Sequence, residues 1–545
     1  MVKKQIKKKN PDHSVNKLVN KRTQSAVEVS FDKNLLLNKY FWLLIPLLTA
    51  VYYISSKYSV GFYQDDEVAQ YINMIQFWTD PFAILGNSPK PGYKLFTVIP
   101  SLFGYEAVLI FNAFIASLTV YFTYLLLKVY NISYAYFGAL LLSMQPLFFD
   151  LSFRSYAEIF TSLLLVIVLI LYKKEYYFIA ALVCGYIFTV RQEIALLILV
   201  FAYLFYKKKN FLAIAALAVF PVLYNLLGFI KTGDLFFVLT EMKSLSSYNY
   251  KSQGISHYFI VYIFIVGPVT LLLFLSGFFG FLSDTKKFKE YIMQYGIFYI
   301  IFISIFGVQL MTMFNDGANP GNWRYLLHIS PIAAVFATIG LNNLAKPYFR
   351  KTSYILTGGL AFITLAFLSK STDGFILLDV SDYTKFFIII ASIALIALMK
   401  KEPAGNYLNK LSLAFLILSL VSLFLSFNPK KLSAENVALK QTSEFINTLD
   451  INGRDIFYNH TFIPFYSDNH YRAASKNFKR LISENIKTAK KGDLVIWDSH
   501  YSYRPKDLKN DVQLETLKND QNFKLLKNVN SSDGRFASFV FEKVN

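Results

Sequence analysis

Apolar runs long enough to cross a bilayer, or nearly so, recur along most of this chain, and no other property narrows its fold as much. A helical span takes about 20 residues, because the hydrocarbon core is about 30 Å thick and a helix rises 1.5 Å per residue. About thirteen runs approach that length: segments 38-55, 105-127, 133-150, 156-172, 176-190, 192-206, 211-230, 257-282, 291-313, 325-345, 353-369, 385-399 and 411-427. The 545 residues are 54% hydrophobic and 18% aromatic, more than one soluble core needs, so the sequence predicts a polytopic α-helical membrane protein. A net charge of +20 invites a nucleic-acid reading. Much of it, however, sits in short clusters between apolar runs, where anionic lipid and topology account for it, and nucleic acid drops out as a partner. The lone Cys184 lies inside an apolar run and allows no disulfide within the chain. Residues 1-37 are Lys-rich and polar, which reads as a disordered basic tail and not as a cleavable signal.

Charge also sets the orientation. With the tail in the cytoplasm, the inner connections carry Lys128, Lys173, Lys174, Lys207, Lys208, Lys209, Lys286, Lys287, Lys289, Lys346, Arg350, Lys351, Lys400, Lys401 and Lys410. The short outer ones carry only Arg154, Arg191, Arg324, Lys370 and Lys385, as the positive-inside rule requires. This ordering needs a turn at Arg191-Gln192-Glu193; one overlong helix there would reverse every later cluster. An odd number of spans then exports the stretch 430-545, leaving 38-428 as the membrane domain. The exported part has mixed charge and soluble patterning: a helix over 434-449, strand and loop in DIFYNHTFIPFY, an amphipathic helix in NFKRLISENIKTAK, and strands in GDLVIWD and FASFVFEKV. A small soluble α/β domain of about 110 residues is expected.

The outer loop 56-104 opens with GFYQDDEVAQY, which places Asp65, Asp66 and Glu67 side by side. Asp66, Gln70, Asn73 and Phe77 then recur at helical spacing, predicting an interfacial helix with a polar stripe. One carboxylate would suffice to cap that helix, whereas three repel one another unless cations or a reaction engage them. Other charges gather at the outer ends of later spans: Arg154 and Glu158 in FRSYAE, Arg191 and Glu193 in RQE, and Arg324 with Tyr325 in NWRYLL. Guanidinium groups at membrane depth face polar cavities and suit phosphate. The loop Lys231 to His257 reads as an interfacial aromatic belt, and His328 as a hydrogen-bonded packing residue. His460, His470, Asp498 and His500 raise a zinc question, but their spacing matches no compact site.

An acidic pair Asp66-Glu67 in the first outer loop, an amphipathic helix behind it, the acidic residue of RSYAE in the next loop, an R-x-E element and a late WRYLL span start together resemble the GT-C glycosyltransferases. The likeness is nearest to bacterial enzymes similar to protein mannosyltransferases and to the lipid A aminoarabinose transferase, and it covers residues 38 to about 345. It implies a multi-pass enzyme that takes a sugar from a polyprenyl-phosphate carrier at the outer leaflet and transfers it with inversion to a lipid, glycan or protein hydroxyl. The family's acidic pair falls on Asp66 as base, with Glu67 or Asp65 orienting the acceptor or a cation. The chemistry is consistent with this: a glycosyl phosphate already has a good leaving group, the attacking hydroxyl must lose a proton to a carboxylate, and arginines such as Arg191 and Arg324 stabilise the departing phosphate. Arg154 with Glu158 completes the second-loop site. No cofactor is required; a divalent cation, magnesium or manganese, is left open, with Asp65, Asp66, Glu67 and Glu158 as hard oxygen ligands. The residue bias and the absence of disulfides point to a bacterial inner membrane. Two other classes remain in view: a transporter or flippase, which would carry charge at mid-span, and a polysaccharide ligase or polymerase.

Overall fold

The structure, a computed structural model, describes residues 39–60, 65–86, 90–245, 253–283, 288–314, 321–372, 376–398, 404–468, 477–502 and 511–545. The basic tail 1-37, the lysines at 286, 287, 400 and 401, part of the 231-257 loop and His470 lie outside the described residues.

Every expected span is helical, and the chain is a polytopic α-helical membrane protein with a small C-terminal sheet. Few of the spans are straight rods of full length. Among the described residues five helices are long and apolar enough to cross a membrane: Tyr105–Val129, Phe211–Thr232, Phe288–Phe314, Trp323–Asn343 and Tyr407–Ser426. The run at 257-282, expected as one span, is two helices, His257–Val266 and Pro268–Phe278, meeting at 116°. Its bend is local in origin, since Gly267 has a φ of 82° and Pro268 has no N–H to continue the ladder. Pro146 likewise divides 133-150 into Ala135–Ser143 and Pro146–Leu151. At Arg191 the backbone turns extended (φ −146°, ψ 98°) between Tyr177–Val190 and a 3-10 turn over Gln192–Ile194, so two helices stand where one overlong helix was the alternative.

Small residues bring the central helices together. A side chain at Gly277 would lie 1.9 Å from the Phe336 carbonyl oxygen, and one at Gly340 would lie 2.0 Å from that of Leu273. Pro268–Phe278 and Ser330–Asn343 therefore cross at backbone contact, the close approach glycine permits in lipid.

The C-terminal part is a five-stranded sheet flanked by helices. Its strands are β1 (Ile456–Tyr458), β2 (Phe478–Arg480), β3 (Leu494–Asp498), β4 (Phe523–Asn530) and β5 (Ala537–Lys543), in the order β2-β1-β3-β5-β4. β1 lies parallel to both β2 and β3, while β5 runs antiparallel to β3 and β4. The expected helix 434-449 is present as Ala434–Asn447, and the expected strands in GDLVIWD and FASFVFEKV are β3 and β5. NFKRLISENIKTAK is a correction. Its first residues form β2, because Phe478 pairs with Ile456, and only Ser483–Ile486 is helical; strand pairing overrides the local helical spacing. β4, the longest strand at eight residues and with Lys524 and Lys527 exposed, carries no strong strand pattern in the sequence.

This sheet is joined to the membrane part at the loop helix. Val60 and Lys430 exchange contacts around Ser59: Val60 N–H donates to the Lys430 carbonyl at 2.9 Å and Lys430 N–H to the Ser59 hydroxyl at 2.9 Å. The buried Phe465 ring stands edge-on to Tyr71 and Tyr105 at 6.0 and 5.7 Å.

Candidate functional site

The loop helix Asp65–Gln76 starts at the acidic triplet, so all three carboxylates occupy its first turn, where the helix dipole favours negative charge. Its inner face is apolar, with Val68, Tyr71, Ile72, Met74 and Ile75 buried, which holds the helix down at a fixed rotation. Consecutive residues on a helix diverge by about 100°. The three carboxylates consequently serve three different places.

Glu67 turns inward. It is fully buried against Arg154, also fully buried, at 3.3 Å. Arg154 Nη2 donates to the Ser59 hydroxyl at 3.0 Å, Nη1 faces the Val60 carbonyl at 3.4 Å, and Nε donates to the Asp150 carbonyl at 3.2 Å. The guanidinium thus ties the loop's entry, the loop helix and the Lys430 junction together. Arg154 and Glu158 are four residues apart but do not meet, because a turn separates them and the helix Glu158–Lys173 only begins at Glu158.

Asp66 turns outward. Its side chain is 66% exposed, and Arg324 Nη2 donates to Oδ2 at 3.3 Å. From Arg324 a line of alternating charge runs into the protein. Arg324 Nε lies 3.8 Å from Glu158, Glu158 accepts a hydrogen bond from Arg191, and Arg191 reaches Glu193 at 2.9 Å. Tyrosine rings face both guanidinium groups, Tyr156 at 4.1 Å from Arg324 and Tyr325 at 4.9 Å from Arg191. Glu158 Oε2, Arg191 Nε and both ring nitrogens of His328 are buried with no hydrogen-bond partner among the described residues. His328, expected to be hydrogen-bonded, is instead a fully buried ring with no such bond to the described residues.

Lys90 belongs to this assembly and was not singled out in the sequence. It stands in the field of Glu193, Arg191, Glu158 and Arg324, and burial pushes its ammonium down to about 8. It takes a left-handed conformation (φ 59°) directly before Pro91. A non-glycine residue in that conformation at the start of a helix is a strain signal of a kind that clusters at functional sites. Gly92 lets its helix, Pro91–Ser101, press onto Thr189, two residues before Arg191; a side chain there would lie 2.2 Å from the Thr189 hydroxyl.

Asp65 turns toward the C-terminal sheet. Tyr501 donates to Asp65 Oδ2 at 2.7 Å, and His460 Nε2 lies 3.8 Å from the same oxygen. His460 and His500 both contact Glu435, at 3.2 and 2.6 Å. Burial works against ionisation of Glu435 and of His460, yet the two rings hold the Glu435 carboxyl down to about 2, and Glu435 and Asp65 raise His460. The four carboxylates named as a cation set, Asp65, Asp66, Glu67 and Glu158, do not converge. Among the described residues, the His, Cys, Asp and Glu donors that gather within 4.8 Å of one another are Asp65, His460 and His500. A cavity of about 300 Å³ lies elsewhere, between Asp150, Phe264, Lys385 and Lys430, and none of the alternating-charge residues lines it.

No family model and no curated protein sequence matches the chain. Solved structures do. ArnT from Cupriavidus metallidurans bound to undecaprenyl phosphate superimposes with a TM-score of 0.57 at 11% identity, over 92% of this chain and 98% of its own. The apo state of the same protein gives 0.58 at 10% identity, over 93% and 98%. The likeness extends through the membrane part and the C-terminal sheet, and the chain has the GT-C fold.

Proposed function

We propose that the protein is an inverting glycosyltransferase that moves a sugar from a polyprenyl-phosphate carrier to a hydroxyl acceptor at the outer face of the membrane. The observation that carries this is the division of the acidic triplet. Glu67 is locked on Arg154, Asp65 faces the C-terminal sheet, and Asp66 alone is exposed beside a buried line of arginines. The fold of a protein that binds undecaprenyl phosphate supports the choice of carrier. Charges at the ends of helices, and not at mid-span, favour transfer over transport: Glu158 opens its helix, Arg191 closes another, and Arg324 lies in the 3-10 turn before a third.

In this reading Asp66 accepts the proton of the acceptor hydroxyl as its oxygen forms a bond to the anomeric carbon. The bond from that carbon to the phosphate oxygen breaks on the opposite face, and its electron pair leaves with the carrier phosphate. Arg324, Arg191 and Lys90 supply the positive charge that stabilises the departing phosphate, in a site whose donors are already placed. Arg324 spans both roles, since its guanidinium touches Asp66 and lies within reach of Glu158. The C-terminal sheet and Asp66 share one side of the membrane, because Tyr501 bonds the neighbouring Asp65. We assign that side to the exterior on the positive-inside distribution of lysine.

The test is transfer by the purified protein from a panel of polyprenyl-phosphate sugars, wild type against Asp66→Asn. Transfer that collapses in the variant is expected. Undiminished transfer would remove Asp66 as the base, and no turnover with any donor, together with substrate flux in vesicles, would remove the enzyme reading.

A further inference from the structure

We propose that Asp65, Glu435, His460 and His500 form a binding site for a first-row divalent cation, zinc by its donor set, that fastens the C-terminal sheet to the loop helix. The four donors come from four separated segments. Asp65 opens the loop helix, Glu435 lies in the first turn of Ala434–Asn447, His460 follows β1 and His500 follows β3. The crossing of β1 and β3 side by side brings the two histidines together, with ring centroids 5.9 Å apart.

Their geometry is that of ligands. In a tetrahedral zinc site with bonds of 2.0–2.1 Å, donor atoms stand about 3.3 Å apart. His460 Nε2 lies 3.2 Å from Glu435 Oε1 and 3.8 Å from Asp65 Oδ2, while His500 Nδ1 lies 2.6 Å from Glu435 Oε1. For an ion to enter, the 2.6 Å contact must open and Glu435 must close on the other three, since the donors already within 4.8 Å of one another are those of Asp65, His460 and His500. Loading moves the ring proton of His460 from Nε2 to Nδ1 and gives up the long 3.3 Å bond from Phe462 N–H.

The surroundings fit a cation too. Among the described residues no lysine or arginine pairs with Asp65 or Glu435, and the carboxylate of Asp498 adds to the negative field at His460. Outer contacts fix the ligands, as they do around bound metals. Tyr501 holds Asp65 at 2.7 Å and stacks on His500 at 4.3 Å, while the His460 ring stands edge-on to Tyr501 at 5.0 Å. Asp498 accepts the backbone N–H groups of His500 and Tyr501 at 3.0 and 2.6 Å, which pins the loop that carries both. Two imidazoles exclude magnesium and calcium as the preferred ion and select the borderline metals. His460 is fully enclosed, and the other three ligands are about a quarter to a third exposed, so the site opens on one side to solvent.

This site lies beyond the proposed transfer reaction, and its test reads metal and not turnover. The full-length protein, purified without affinity histidines and stripped with a chelator, is titrated with Zn²⁺ for stoichiometry and with Co²⁺ for its visible spectrum. One equivalent of Zn²⁺, visible bands of a four-coordinate nitrogen and oxygen site with Co²⁺, and a zinc-dependent rise in melting temperature are expected. Tyr501→Phe should weaken binding by about 10-fold to 100-fold, the usual loss for an outer contact. His460→Gln with His500→Gln should abolish the equivalent while the protein stays monodisperse. Less than a tenth of an equivalent bound by monodisperse wild type, or unchanged binding in the double variant, would overturn the proposal.

Discussion

At the scale of single residues, the acidic triplet separates two kinds of carboxylate that look alike in sequence. Asp66 is exposed, so Asp66→Asn should leave expression and melting unchanged while transfer falls by about 10²-fold to 10⁴-fold. Glu67 is buried on Arg154, so Glu67→Gln strands a buried guanidinium. A loss of about 3–5 kcal/mol in stability is expected, read as lower folded yield and melting temperature. Lys90 adds a pH dependence. Its pKa is lowered in the folded protein, so the ammonium that faces the arginine and glutamate line is charged below about 8 and neutral above. Donor KM should therefore rise as pH passes 8, and Lys90→Arg should flatten that limb. In stability the sign is the reverse: the penalty for burying the charge is complete below about 8 and is relieved as pH rises toward the unfolded lysine value.

At the scale of elements, the shape of the site rests on breaks in helices. The extended Arg191 and the 3-10 turn Trp323–Ile329 each interrupt a ladder where charged groups of the site stand. The glycine contact between Pro268–Phe278 and Ser330–Asn343 sets the position of the helix that follows Arg324. Gly340→Leu must push the two backbones apart, and we expect loss of monodisperse protein on size-exclusion chromatography along with loss of transfer. The positions of the helical segments were legible in sequence because apolar length speaks to them directly. Their bends were legible only in part. Pro146 and Pro268 are visible signals that a ladder breaks, but a proline alone does not give the 116° angle, which goes with the φ of 82° at Gly267.

At the scale of the whole molecule, two parts meet at one helix. The loop helix Asp65–Gln76 buries its apolar face in the membrane part and offers Asp65 and Tyr71 to the C-terminal part. Phe465 is the apolar anchor of that junction, buried between Tyr71 and Tyr105. Phe465→Ala should cost about 3–5 kcal/mol of docking and packing energy. Limited proteolysis should then release the C-terminal sheet as a separate fragment at protease levels that leave the wild type intact. Unchanged resistance would mean that the Ser59, Val60 and Lys430 contacts alone hold the two parts together.

By itself the sequence determined the membrane class, the order of the helical segments, the C-terminal change of composition and the set of charged residues from which the site is drawn. These follow from local physics: apolar length measured against bilayer thickness, lysine bias between spans, and the cost of ionised groups at membrane depth. Which charge meets which was decided only by the tertiary structure. Arg154 and Glu158, four apart in sequence, went to different partners, while Asp66 met Arg324 across 258 positions and Asp65 met Tyr501 across 436. Pairing at such separations depends on helix rotation and on which strands lie side by side. Neither leaves a trace in spacing along the chain, and the histidines that face Asp65 became neighbours only when β1 and β3 paired.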